Sequence, residues 1–262
     1  MTIRYIALGF EYSLPRNGVC QNGYESEKPI NIIERNARFI SNYTSKEVRK
    51  LKLETDGTFK MISVALNLHE ETSKIVSIDC LKQKVFVSMD ELKAYKQTTD
   101  LVERYEYYLS WLERGYRLAA NFKDIQVNAL LSMHQQFRMG GYKNEWLFKK
   151  KPIHEYGIYI YLKCYFTTFD FRLELEVYDL KSKEFLTQGV VLQTSPYEVC
   201  YERDFKQISI TDGKLLILDF LGHPCYSFDL KMLSKGIFNV EYLNNSNVHF
   251  EEFRKEIAQL TW

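Results

Sequence analysis

Two carboxylates, Glu174 and Glu176, stand two residues apart in a run of strictly alternating apolar and charged residues. In an extended strand, residues at that spacing project from the same face. Paired carboxylates roughly 6.5–9.5 Å apart are the acid and base of inverting glycoside hydrolysis. Arg172 shares this face, however, and alternating charges along one side of a strand are more typical of a solvated face. The pattern therefore favours a solvated strand over a catalytic pair.

A histidine and a cysteine also lie close in sequence, at His223 and Cys225. A Cys–His pair acts as a nucleophile when the base reaches the thiol, because the thiolate is the reactive form. Sequence neighbours in a tight turn rarely have that geometry, so Gly222-His-Pro224 is interpreted as a turn between strands. His134 lies near the apolar side of a predicted helix, which is typical of a partly buried, hydrogen-bonded histidine.

The chain lacks the familiar catalytic and cofactor motifs: it contains no G-x-G-x-x-G, G-x-x-x-x-G-K-S/T, H-E-x-x-H or G-x-S-x-G. Its five histidines are far apart, and its five cysteines never form a C-x-x-C pair. Zinc sites and disulfide frameworks need closer, paired spacing. We therefore predict no catalytic residue, no cofactor, no metal site and no disulfide. The cysteines, expected to be reduced thiols, are Cys20, Cys80, Cys164, Cys200 and Cys225.

The most informative stretch for binding is the predicted helix over 101–118. Its apolar arc is wider than one packed interface usually needs, because Tyr107, Trp111 and Leu118 extend it round one side. One interpretation is a helix that packs between a sheet and a neighbouring helix. The alternative is that Arg104, Tyr107 and Trp111 contact a partner protein, since these residue types dominate binding hot spots.

Charge and composition narrow the class of protein. The 262 residues carry 35 Lys and Arg against 34 Asp and Glu, a net charge of +1, so a nucleic-acid partner is not expected. Hydrophobic residues at 45% and charged residues at 26% are typical of a globular protein. The chain begins with a strand-like segment instead of a signal peptide, and no run approaches the roughly 18 apolar residues of a membrane span. We expect a cytoplasmic protein with no membrane partner.

Periodicity predicts both helices and strands in the first 150 residues. Strands are predicted over 3–10, 48–53 and 59–68, the last two around an Asp56-Gly57 turn, with a hairpin over 74–80 and 84–87. A helix is predicted over 29–41. A helical cluster at about 88–139 follows, with caps at Ser88, Asp100 and Asp124 and an end at Gly140-Gly141.

The pattern changes after Lys149-Lys-Lys-Pro152, which is interpreted as a solvated linker and a boundary between regions 1–150 and 151–262. The pattern is also compatible with a single domain formed by both regions. Strands are predicted over 158–166, 171–177, 185–192, 198–203, 206–211, 214–220, 224–229 and 237–243, and a helix over 248–260. The fold class is thus α+β, with a mixed N-terminal half and a mainly antiparallel C-terminal half closed by a helix. The similar Thr55-Asp-Gly57 and Thr211-Asp-Gly213 segments suggest either a duplication or the limited chemistry of turns.

Three function classes are compatible with these features. The first is a non-enzymatic protein-binding protein, in its best-fitting form a bacterial immunity or antitoxin-type protein that neutralises a cognate toxin by direct binding. The second is a motif-poor hydrolase or nuclease that uses dispersed Asp, Glu and His. The third is a structural or adaptor component of a phage or secretion assembly. The missing motifs favour the first.

Overall fold

The chain folds into two compact units, Met1–Lys143 and Asn144–Trp262. The structure is a computed structural model that describes residues 1–10, 24–70 and 73–243. It confirms the predicted α+β class, with a mixed N-terminal unit and mainly antiparallel strands in the C-terminal unit. The predicted helix over 248–260 lies outside the described residues.

The N-terminal unit is built on a four-stranded sheet in the order β1-β2-β4-β3. The first two pairs in that order are parallel, and β3 joins β4 as an antiparallel edge strand. Parallel strands need a long crossover, which α1 supplies between β1 and β2. The elements are β1 (Tyr5–Phe10), α1 (Tyr24–Leu51), β2 (Phe59–Asn67), β3 (Lys74–Ser77), β4 (Asp79–Phe86), α2 (Met89–Gln97), α3 (Leu101–Ala120) and α4 (Val127–Met139).

The prediction of a strand over 48–53 was wrong, because α1 continues to Leu51. Buried residues recur along it every three or four positions: Ile33, Ala37, Ile40, Thr44 and Val48. This helical spacing outweighs the strand preference of Val48. Lys52 takes a positive φ of 52° directly after the helix, so the Asp56-Gly57 turn leads from a helix into β2 and not between two strands.

The helix caps were predicted correctly in two of three cases. Ser88 Oγ accepts from Glu91 N at 3.1 Å, and Asp100 Oδ1 accepts from Glu103 N at 2.9 Å. Asp124 does not cap α4, which begins at Val127 after Gln126 without a side-chain cap. The predicted end is confirmed: α4 stops at Met139, and Gly141 takes a φ of +68°, which glycine adopts without strain. Among the described helices, none combines the length and apolarity needed to cross a bilayer.

The C-terminal unit contains two antiparallel sheets, in the orders β5-β6-β7-β8 and β12-β11-β10-β9. Their strands are β5 (Glu145–Ile153), β6 (Ile158–Phe166), β7 (Phe171–Asp179), β8 (Phe185–Thr194), β9 (Gln207–Thr211), β10 (Lys214–Leu218), β11 (Pro224–Asp229) and β12 (Glu241–Tyr242). The described part of this unit also contains two short helices, α5 (Glu198–Tyr201) and α6 (Leu230–Ser234). One face of the β5–β8 sheet packs on the core through alternate apolar residues, for example Ile160, Leu162 and Leu173.

Three predictions for this unit were wrong. The strand predicted over 237–243 is confined to Glu241–Tyr242. Lys149–Pro152 is not a linker: it lies inside β5, where Lys150 pairs with Tyr161. Residues 198–201 form a helix instead of a strand. Tyr201, at the end of this helix, and Phe205 both stack on Phe171, with ring centroids 3.7 and 5.6 Å away.

The two similar turn segments have different surroundings. Thr211-Asp-Gly213 closes the hairpin between β9 and β10, whereas Thr55-Asp-Gly57 follows a helix and leads into a strand with parallel neighbours. Turn chemistry therefore accounts for the resemblance without a duplication.

Candidate binding site

The structure places Trp111, one of the three predicted partner contacts, in the core. Its side chain has 0% relative exposure, and Nε1 donates to Glu91 Oε1 at 2.6 Å. The indole also packs against Tyr95, with ring centroids 5.5 Å apart. The wide apolar arc of α3 is therefore explained on this side by α2, which supplies both Glu91 and Tyr95. Trp111 cannot contact a partner in this fold.

Arg104 and Tyr107, which belong to α3, remain partly exposed and lie beside α2. Arg104 Nε donates to the Thr98 carbonyl oxygen at 2.8 Å, and its guanidinium lies 6.0 Å from the Tyr95 ring centroid. Tyr107 meets Tyr95 edge to face at 5.6 Å. Both side chains thus help to fix the connection between α2 and α3, and partner binding by them stays a prediction.

A second cluster, the α3–α4 cluster, consists of Glu106, Glu113, His134, Arg138 and Tyr142. Arg138 donates to both carboxylates at 2.9 Å, Tyr142 donates to Glu106 at 2.6 Å, and His134 Nδ1 lies 3.1 Å from Glu113. Burial lowers the pKa of His134 more than Glu113 raises it, so the ring is held neutral. Burial would raise the pKa of Glu113, but hydrogen bonds from His134 and Arg138 outweigh it and lower that pKa.

His134 is hydrogen-bonded as predicted, but it is fully buried where the sequence predicted partial burial, and its partners are bonded to one another. The α3–α4 cluster therefore ties two helices together and does not present an acid or base to a substrate. From the sequence alone, this cluster could be recognised only as a helical face that carries both acidic and basic residues.

The other residues considered for chemistry are committed to structural contacts. Cys225 Sγ lies 3.8 Å from the His223 carbonyl oxygen, while His223 Nδ1 lies 3.5 Å from Asp219. Glu174 pairs with Arg172 at 3.1 Å, but the expectation of a solvated face was wrong for Glu176, which is only 7% exposed. Within the residues that the structure describes, no group of three or more His, Cys, Asp or Glu side chains is placed to hold a metal ion.

The strongest candidate for a site is the open face of the β5–β8 sheet, here called the Lys–Tyr face. It carries a half-open cavity of about 490 Å³. The lining residues are Lys150, Tyr159, Tyr161, Lys163, Glu176, Tyr178 and Lys183. Alternation along β6 produces this face, because its apolar residues point to the core and the intervening ones point outward.

The tyrosines of the Lys–Tyr face support one another across the strands. The rings of Tyr159 and Tyr161 lie 5.1 Å apart on β6, and Tyr161 meets Tyr178 of β7 edge to face at 5.4 Å. Phe185 of β8 extends the row, 5.6 Å from Tyr178 and 52% exposed. Neighbouring strands thus fix the positions of four aromatic side chains on one surface.

Three lysine ammonium groups lie over these rings. Lys150 Nζ is 5.1 Å from the centroid of Tyr159 and 5.3 Å from that of Tyr161. Lys163 lies 5.8 Å from Tyr161, and Lys183 lies 5.6 Å from Tyr159. Hydrogen bonding to the Tyr159 hydroxyl, followed by charge interactions with both tyrosines, raises the pKa of Lys150.

One carboxylate lies among these cations. Glu176 is only 7% exposed, accepts from Lys163 Nζ at 2.7 Å and accepts from the Tyr178 hydroxyl at 2.9 Å. These contacts raise the pKa of Lys163 and of Tyr178, in both cases chiefly through the hydrogen bond to Glu176. Glu176 therefore fixes two members of the face and leaves the cavity with a net positive charge.

Sequence reasoning missed the Lys–Tyr face, although a signal was present. The outward positions of strand 158–166 read Tyr159, Tyr161, Lys163 and Tyr165, where a solvated face would carry small polar or mixed charged residues. The contributions of Lys150 and Lys183 come from other elements, so only the strand pairing brings them together.

Comparisons of the chain with protein-family models, with curated proteins and with solved structures found no match.

Proposed function

We propose that this chain is a non-enzymatic, cytoplasmic protein-binding protein and that the Lys–Tyr face is its contact surface. The observation that carries the proposal is the row of partly exposed tyrosines held on neighbouring strands beside three lysines. The scattered cysteines support the cytoplasmic assignment. This surface replaces Trp111 as the expected centre of binding, because that residue is buried.

Tyrosine suits such a surface for an energetic reason. It supplies a large contact area and a polar hydroxyl, and it loses little conformational entropy when it binds because it has few rotatable bonds. The ring contacts of Tyr161 with Tyr159 and Tyr178 restrict it further before any partner arrives. A preorganised aromatic surface binds more tightly than a mobile one of equal area.

The form of this function that the sequence favours is an immunity-type protein that neutralises a cognate toxin by direct binding. Such a role needs a stable fold and one specific surface, and it needs no catalytic motif. The Lys–Tyr face would then cover part of the toxin.

The test is calorimetric titration of a purified partner, identified by pull-down or as the product of a neighbouring gene. Replacing Tyr161 with Ala should weaken binding by about 2 kcal/mol, the size of a hot-spot truncation. Tyr242→Ala is the matched control, because Tyr242 is 67% exposed and lies on the other sheet. Equal affinities for wild type and Tyr161→Ala would contradict the assignment to this face. Substrate turnover by the free protein would contradict the proposed class.

A further inference from the structure

We infer that the partner segment entering the cavity of the Lys–Tyr face is acidic, carrying Asp or Glu carboxylates. This inference rests on the proposed function and specifies the chemistry of the partner. The cavity is lined by three lysines and one glutamate, so its lining has two more positive than negative charges. The chain as a whole has a net charge of only +1, which makes this a local concentration of charge.

Two of the three lysines have no carboxylate partner among the described residues. Lys163 is paired with Glu176 at 2.7 Å. Among the residues that the structure describes, no carboxylate lies within salt-bridge distance of Lys150 or Lys183. These two ammonium groups are available to a carboxylate supplied from outside, and charge complementarity of this kind both steers and selects partners.

The two unpaired ammonium groups are held in place by the fold. Lys150 lies over both Tyr159 and Tyr161. Lys183 Nζ donates to the Leu180 carbonyl oxygen at 2.5 Å, in a turn that Asp179 Oδ1 fixes by accepting from two backbone amides. An anion that binds them therefore does not have to order two mobile lysine side chains, which is the main cost of an exposed ion pair.

The same geometry favours an acidic protein segment over a nucleic acid. Single-stranded nucleic acids bind by stacking bases on free aromatic faces. Here Tyr159 has Lys150 and Lys183 over its ring, and Tyr161 has Lys150 and Lys163. A volume of about 490 Å³ is in the range of small-ligand pockets, so it admits the ends of a few side chains.

The inference can be tested before the partner is known, with a fluorescent oligoglutamate peptide as the probe. We expect saturable binding by the full chain, measured by anisotropy, that weakens as salt is raised. An oligoglutamine peptide of equal length should bind much more weakly. Equal binding of the two peptides would overturn the inference.

The decisive variant is K150Q/K183Q, which removes the two ammonium groups without breaking the Lys163–Glu176 pair. It should weaken oligoglutamate binding by about tenfold or more, since each fixed charge pair contributes a factor on the order of three in affinity. K206Q/K235Q is the matched control, because Lys206 and Lys235 are exposed lysines of the same unit outside the cavity. The control should bind like wild type, and equal losses in the two double variants would overturn the inference.

Competition separates the possible sources of the anion. Inorganic phosphate or oligothymidylate could displace the labelled peptide more effectively than free oligoglutamate does. That result would identify the ligand as a phosphate and not an acidic segment, and the inference would fail. If a purified partner loses affinity with Tyr161→Ala but not with K150Q/K183Q, the inference fails and the proposed function stands. If oligoglutamate binds as expected but the partner ignores Tyr161→Ala, the proposed function fails.

Discussion

Glu176 organises the Lys–Tyr face at the scale of a single residue. Its carboxylate is nearly buried on a sheet face that is otherwise open, and Lys163 and Tyr178 supply its hydrogen bonds. A buried charge is stable only when it is paired and hydrogen-bonded in this way. The Lys–Tyr face therefore depends on this carboxylate for its geometry, although the carboxylate itself has little contact with solvent.

Replacing Glu176 with Gln should lower the free energy of unfolding by about 1–2 kcal/mol, because Lys163 loses its partner but keeps part of its hydration. Urea denaturation measures this loss. The pKa of Tyr178, which the hydrogen bond to Glu176 raises, should move back toward 10, as followed by ultraviolet titration. Glu145→Gln is the control, since Glu145 is exposed at the end of β5. A Tyr178 pKa that does not move in Glu176→Gln would show that Glu176 does not hold the hydroxyl.

His134 gives a pH-dependent prediction in the N-terminal unit. Its pKa is lowered in the folded protein by burial, against the opposing effect of Glu113, so the unfolded chain binds the proton more tightly. The stabilisation due to the neutral ring is thus present above about pH 6.5 and is lost as the pH falls below that value. The free energy of unfolding should fall with acidification by at most about 1.4 kcal/mol per pH unit from this group.

The matching measurement is urea denaturation between about pH 5 and 7, above the range in which the carboxylates titrate. His134→Gln should be less stable than wild type at neutral pH, because it loses the contact with Glu113, but its stability should vary less over this range. Identical pH slopes for the two proteins would mean that His134 does not carry the effect.

At the scale of elements, α3 approaches β2 closely at Gly115. A Cβ built on Gly115 would lie 2.4 Å from Val64 Cγ2 and 2.8 Å from Cγ1, closer than side-chain atoms normally approach. Both residues are fully enclosed in the core. Glycine is required here by the distance between the two elements and not by its backbone conformation.

Gly115→Ala should therefore destabilise the protein by about 1–3 kcal/mol, although alanine is the better helix former. Removing the obstructing methyl groups with Val64→Ala should make the change at residue 115 nearly neutral or favourable in the double variant. A double-mutant cycle from thermal or urea unfolding gives this coupling. Additive losses would show that Val64 is not what opposes the extra methyl group.

Element types could be predicted wherever the pattern of apolar residues was regular. Strands 158–166 and 224–229 match the structure, and the capping signals at Ser88 and Asp100 were confirmed. The end of α1 was missed because a local preference for strand was given more weight than spacing continued from the preceding turns. The parallel pairing of β1, β2 and β4 joins residues distant in sequence, so no local pattern contains it.

The candidate site was harder to predict than the elements. Helical spacing placed Trp111 correctly at the edge of a wide apolar arc, but only the position of α2 decides whether that edge is covered. The Lys–Tyr face combines residues from three strands and one turn, so its composition depends on strand register. The outward tyrosines of strand 158–166 were overlooked in the sequence, and no local pattern could have added Lys150 and Lys183, which lie over them.

At the scale of the whole molecule, a balanced net charge conceals an uneven local distribution. The total of +1 argued against a nucleic-acid partner, and it contained no information about a cavity with two surplus positive charges. The charges of the α3–α4 cluster, in contrast, largely neutralise one another inside the other unit. Composition therefore describes the class of the chain, while binding depends on which charges remain unpaired after folding.

The last prediction concerns the two units themselves. Every strand pair in the three sheets joins residues of the same unit, and the chain passes from one unit to the other at a single point, between Lys143 and Asn144. Units of this length are large enough to bury a core of their own. We therefore expect fragments 1–143 and 144–262, expressed separately, each to unfold cooperatively on heating, as followed by circular dichroism. Fragment 144–262 should also bind oligoglutamate with nearly the affinity of the full chain, because every lining residue of the cavity belongs to it. If either fragment shows no cooperative transition under conditions in which the full chain is folded, the units depend on each other and this prediction is wrong.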